Sequence, residues 1–177
     1  MTIMPIRTLG DPVLKTPSSD VETFDASLLS LIEDMFETMY DAPGVGLAAP
    51  QVGLSLRLFV YDDGQGAKGA MANPVIVEVT GELSEDEGCL SIPGVYHQTP
   101  RAAFVRIEGL DPYGKPLALD GEELLARIFQ HETDHLNGVL FIDRLDGDGR
   151  RQVLAELRDR ELGAAAGRNG PAGSRRS

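Results

Sequence analysis

The order in which helical and strand-like stretches follow one another constrains this chain most. A helical stretch comes first, "DASLLSLIEDMFETMYDAPG" (residues 25–44), in which Leu28, Leu29, Ile32, Met35, Phe36 and Met39 recur at the spacing of one buried helix face. Asp25 can cap its first N–H groups, and Pro43-Gly44 ends it. The next block, "GVGLAAPQVGLS", is rich in Gly and small residues and reads as loop. Strand-like runs follow: "LRLFVY" (56–61), "PVIVEVT" (74–80) and "AAFVRIEGL" (102–110), all rich in β-branched and aromatic residues. "DPYG" is a turn, and "KPLAL" continues as a strand. Runs of strands bounded by helices suggest mostly antiparallel pairing.

A second helix is predicted over residues 120–137, with Asp120 as cap, Glu123 in the capping-box position and Gly138 as the left-handed residue after the end. Its apolar residues Leu124, Leu125, Ile128, Phe129 and Leu136 fall on more than one face, which predicts a deeply packed helix. "GRRQVLAELRDREL" reads as an outer amphipathic helix. The final "AAAGRNGPAGSRRS" (164–177) is low in hydrophobicity and is expected to be disordered. One domain over residues 1–163 accounts for the rest.

The bulk properties narrow the function classes. A hydrophobic fraction of 42% and a charged fraction of 25% suit a soluble globular protein. No apolar run approaches the roughly 20 residues that span a bilayer, and "MTIMPIRTLGDP" has no signal-peptide pattern. The single cysteine, Cys89, excludes an internal disulfide framework and points to a reducing cytoplasm. The net charge is −12; from Gly147 onward seven Arg face four Asp/Glu, a balance of +3, which leaves −15 on the body. An acidic body argues against specific DNA binding or broad nucleic-acid binding, while the Arg-bearing end can meet an anionic partner.

Chemistry concentrates in "QHETDHLNG" (130–138). On a helix, residues i and i+4 share a face, so His131 and His135 can aim at one point with Glu132 beside it. In H-E-x-x-H, two histidines hold a metal and the glutamate moves protons for an activated water. Such a site needs a third protein ligand and an open position. No histidine follows His135. Glu156, 21 residues on and on a helix, would give a His-His-Glu peptidase; His97 follows a Pro-Gly turn; Cys89 stands in "DEGCLSIPG". Glu85, Asp86 and Glu87 just before Cys89 would raise a free thiol's pKa, whereas a metal deprotonates a coordinating thiol outright.

Three segments, in order, resemble the signature motifs of the peptide deformylase family: "GVGLAAPQ" (44–51), "EGCLS" (87–91) and "QHETDHLNG" (130–138). The resemblance extends from "IRTLGDPVLKTPS" to about Leu145, and residues 171–177 lie outside it. It implies an α+β fold in which antiparallel β-sheets surround a central metal-binding helix, with an N-terminal and a C-terminal helix. It implies hydrolytic removal of the N-formyl group from the starting methionine of nascent proteins. Cys89, His131 and His135 would hold one divalent metal, Fe(II) in the cell, with Zn(II), Ni(II) or Co(II) also able to occupy the site. Glu132 would be the general acid/base, and the Gln51 amide and the Leu90 N–H the oxyanion donors. The peptide would add as a strand beside Val45-Gly46 and beside the Gly88–Ser91 segment. Val45, Leu124 and Ile128 would line the methionine pocket. N-formylmethionyl nascent chains are the expected partners, and a ribosome contact through the third helix is a further expectation.

Overall fold

A computed structural model of the protein describes residues 2–168. In chain order it contains α1 (Ala26–Asp41), β1 (Gly46–Ala48), β2 (Leu58–Asp62), β3 (Lys68–Thr80), β4 (Leu83–Cys89), β5 (Ile92–Arg101), β6 (Phe104–Leu110), β7 (Pro116–Glu122), α2 (Glu123–Leu136) and α3 (Gly147–Arg168). The strands form a five-stranded antiparallel sheet in the order β1-β2-β3-β6-β7, and a separate two-stranded sheet, β4-β5. The antiparallel pairing is what the run of strands predicts, and the α+β class is what the family resemblance implies.

β2 shows how the sequence builds two layers of core. Side chains alternate faces along a strand. Leu58 and Val60 point into a cluster with Leu28, Ile32, Met35 and Met39 of α1. Phe59 and Tyr61 point the other way, into a cluster with Ala126, Phe129 and Leu136 of α2. Each fully buried Leu, Ile, Met or Phe contributes about 1.5–3 kcal/mol. A third cluster joins Ile92 and Val95 of β5 to Leu140, Phe141 and Val153. It is what docks α3.

Local signals account for the helix ends. The Asp25 carboxylate accepts from the N–H groups of Ser27 (3.0 Å) and Leu28 (3.1 Å), as an N-cap does. Gly138 adopts φ +73°, and a Cβ there would lie 2.7 Å from the carbonyl oxygen of Lys15. Only glycine fits that corner.

The start of α2 departs from expectation. Asp120 does not cap it: β7 continues through Glu122, and Asp120 on that strand pairs with Arg106 of β6 (2.7 Å). The helix begins at Glu123, at φ +49°, whose N–H goes to the Ala103 carbonyl (3.0 Å). A tertiary backbone bond therefore replaces the capping box. The block expected as loop after α1 contains β1 and one 3-10 turn, Ala49–Val52, all buried. Buried backbone must be hydrogen-bonded, and pairing with β2 meets that need. α3 extends through Arg168, so residues 164–168 are helical; the rest of the expected tail lies outside the described residues. No described helix is long and apolar enough to cross a membrane.

Candidate metal and catalytic site

α2 carries His131 and His135 one turn apart. Burial extends around its C-terminal half, enclosing Glu132, Thr133, Asp134, His135 and Leu136. β4 ends at Cys89 in the tight turn of the β4-β5 hairpin, where the ladder register shifts between Gly88 and Cys89. That turn brings the thiol to the helix. Cys89 Sγ lies 3.3 Å from Nε2 of His135, and Nε2 of His135 lies 3.1 Å from Nε2 of His131. The three donor atoms fall within 4.8 Å of one another.

The donor set fits a metal ion. Nδ1 of His131 donates to the Glu87 carboxylate (2.5 Å), which leaves Nε2 with its lone pair facing the other two donors. Lone pairs brought this close repel unless a cation or a proton lies between them. Without a metal, burial opposes charge on both imidazoles. For His131, contacts with the thiol and Glu87 outweigh burial and raise its pKa. For His135, burial and the neighbouring His131 lower it. A thiolate with two imidazoles suits borderline-soft divalent ions.

The acidic run before Cys89 behaves differently from its sequence reading. Glu87 is buried and is gripped by Arg101 through two hydrogen bonds (3.0 and 2.6 Å). Burial alone would raise its pKa, but the bonds from His131 and Arg101 outweigh it and hold the carboxyl at about 2. Glu85 pairs with Arg127 (3.3 Å). Arginines thus answer two of the three charges expected to press on the thiol. Arg101 continues to Asp134 on α2 (2.6 Å), which Arg144 also clasps. Sequence reasoning missed Glu87, Arg101 and Asp134 as a support for the histidines. Removing one partner from such a buried ionic chain costs about 3–5 kcal/mol.

Glu132 is 4% exposed, and its Oε2 has no hydrogen-bond partner among the described residues. Burial pushes its carboxyl up to about 7. Gly46 of β1 packs directly on it: a Cβ on Gly46 would lie 2.4 Å from Oε1. Gln51 is 1% exposed. Its Oε1 accepts from the Ala48 N–H (2.9 Å), which turns the NH₂ toward Ser91 Oγ (3.2 Å) and Cys89 Sγ (3.6 Å).

These groups face a cavity of about 530 Å³ lined in part by Gly44, Val45, Gly46, Gln51, Gly88, Cys89, Leu90, Ile128, His131 and Glu132. That volume is in the range of small-ligand sites. Leu124 is not in its lining. It sits four residues, about 6 Å along the axis, from Ile128, and packs in the α2-β6 core instead. Glu156 is not at the site either: it lies on α3, half-exposed and paired with Arg160 (3.0 Å), so the His-His-Glu alternative fails on placement. His97 bonds the Gln98 carbonyl and Gln152, away from the trio.

The sequence model of the polypeptide deformylase family matches residues 3–151. The peptide deformylase of Acidothermus cellulolyticus is 51% identical over 161 residues, covering 91% of this chain and 89% of that protein. A crystal structure of a peptide deformylase from Legionella pneumophila superposes with a TM-score of 0.87 at 46% identity, over 96% of this chain and 100% of that one. The Thermus thermophilus enzyme gives 0.85 at 47% identity, over 89% and 94%. A match over most of the chain, with relatives that agree in both sequence and fold, places this protein in the polypeptide deformylase family.

Proposed function

We propose that this enzyme removes the formyl group from the N-terminal formyl-methionine of nascent proteins, with Cys89, His131 and His135 holding one divalent ion. The convergence of these three donors within 4.8 Å carries the reading. Fe(II) is the ion assigned in the cell, and Zn(II), Ni(II) or Co(II) suit the same donors. When bound, the ion supplies Lewis acidity, so that hydroxide is available near neutral pH.

The chain's own groups do the rest. Glu132, at about 7, is poised between acid and base at neutral pH. It takes a proton from the attacking water and returns one to the amine as formate departs. The Gln51 NH₂ and the Leu90 N–H meet the oxygen on which charge develops; one such donor is worth about 3 kcal/mol of barrier. β1 is the edge strand of its sheet, and Val45, Gly46 and Gly88 face one cavity. An extended peptide can therefore add as a strand, held through its backbone whatever its sequence. Val45 and Ile128 line the methionine pocket. The catalytic unit spans residues 1–163, works in the cytoplasm, and can meet the ribosome through α3.

The test is formate release from a formyl-Met-Ala-Ser peptide, with metal analysis of the same sample. Glu132→Gln should keep its metal and lose at least about a hundredfold in kcat. A Glu132→Gln enzyme with the parent's kcat would refute the assignment.

A further inference from the structure

The opening segment "IRTL" lies within the family match, yet none of the functions above uses it. In the structure it runs across the site as a strap. One end is fixed by Met4, whose N–H donates to Thr38 Oγ1 of α1 (2.9 Å) and whose side chain joins the α1 cluster. The other end is fixed by Leu9, packed in the cluster beneath α3. Between these anchors the strap makes two main-chain bonds. The Arg7 N–H donates to the Gln51 carbonyl (2.7 Å), and the Leu9 N–H donates to the Ser91 carbonyl (2.9 Å). Gln51 Nε2 in turn donates to Ser91 Oγ (3.2 Å). These three bonds close a ring through residues 7–9, Gln51 and Ser91. Ser91 is fully buried, and Ile6 lines the cavity itself.

Building on the reading of Gln51 and Leu90 as oxyanion donors, we propose that this ring is a positioning bracket for them. The segments that carry the two donors, the 3-10 turn that follows β1 and the turn between β4 and β5, are far apart in sequence. Along the main chain they communicate only through long connections. The strap ties their backbones together directly, and the Ser91 hydroxyl ties one side chain to the other segment. Ala48 already occupies Oε1 of Gln51, so the remaining rotation of the amide plane is set at Nε2 by the Ser91 hydroxyl (3.2 Å), with Cys89 Sγ beside it (3.6 Å). Ser91 is adjacent to Leu90, so the same residue fixes the spacing between the two donors. A shift of about 1 Å in a group that acts at the transition state costs on the order of a hundredfold in rate. The bracket works through Gln51 and Leu90 and need not touch substrate.

The experiment measures kcat, KM and metal content for formate release from formyl-Met-Ala-Ser by Ser91→Ala, Arg7→Pro and Gln51→Ala, and by each of the first two combined with Gln51→Ala. Ser91→Ala removes the side-chain bond, and Arg7→Pro removes the N–H donated to Gln51. Each should lower kcat about tenfold or more, with KM and metal content close to the parent's, because the lost contact acts only in the transition state. In the Gln51→Ala background Ser91→Ala should cost less than about twofold, since the amide its hydroxyl orients is gone, and Arg7→Pro should cost less than it does in the parent, since only Leu90 is left to position. If Arg7→Pro does not fold, Ser91→Ala, which keeps every main-chain bond, decides alone. A crippled Gln51→Ala beside a Ser91→Ala enzyme with the parent's kcat overturns the bracket and leaves the donor assignment standing. A Gln51→Ala enzyme with the parent's kcat overturns the donor assignment and the bracket with it. A full, additive loss in the double variant also overturns the bracket, because the effect would then run through some other part of the fold.

Discussion

Gly46→Ala is the substitution that isolates Glu132 from the metal. Gly46 lies on β1 without positive φ, so alanine is tolerated by the backbone. The new Cβ would stand 2.4 Å from Glu132 Oε1, 2.8 Å from its Cδ and 3.0 Å from its Cγ. Ordinary contact requires about 3.4 Å or more, so the carboxylate must retreat by roughly 1 Å. Such a displacement of a proton-transfer group costs on the order of a hundredfold in kcat. The metal donors are not touched, so metal content should equal that of the parent. Packing strain should lower stability by about 1–3 kcal/mol, measurable in urea. A methyl group at the strand edge can also obstruct substrate, and a double variant separates the two effects. In the Glu132→Gln background, Gly46→Ala should cost less than about threefold if it acts by moving the carboxylate. Parent-like kcat in Gly46→Ala, or a full additional loss in the double variant, would refute the reasoning.

Two further expectations follow from groups around the site. Glu87→Gln removes the anionic acceptor that fixes His131 Nδ1 and half of the Arg101 clasp, so metal affinity should fall by about 10–100-fold in a chelator competition; unchanged affinity would show that the support is dispensable. Asp143 accepts from Lys15, Arg150 (2.7 Å) and the Leu140 N–H (2.9 Å); burial works against its charge, but these partners prevail and its pKa is lowered below 3.8. The native state therefore binds that proton less readily than the unfolded chain, so the stabilisation is present above 3.8 and is lost as pH falls through the lowered value. Melting curves should accordingly show Asp143→Asn losing less stability than the parent between neutral and acid pH, and an identical acid limb would contradict the linkage.

Much of this was legible in the chain because the signals were local. The face of α1 and its Asp25 cap, the turn at Gly138 and the i, i+4 histidines each depend on neighbours within a few residues. The β4-β5 hairpin was not legible. "LSEDEGC" and "IPGVYHQTPR" carry acids, Gly and Pro that depress strand propensity, and their pairing with each other is what makes them strands. Glu87 was missed for the same reason. Once residues 83–89 are a strand, Glu87 falls on the face of Cys89 two positions on, and its role follows from geometry. Its partners Arg101 and His131 stand 14 and 44 residues away, beyond the reach of any local rule. The failed cap at Asp120 has a cause of the same kind. It depends on where β7 yields to α2, and that boundary is set by the Ala103 carbonyl in the turn between β5 and β6.

The most direct measurement is metal stoichiometry in the Cys89→Ala protein, paired with formate release from the same sample. The parent should carry one divalent ion per chain and release formate. Cys89→Ala should lose the ion and the activity together while keeping its fold by circular dichroism. A Cys89→Ala protein that binds its ion as tightly as the parent and still deformylates would contradict the three-donor centre.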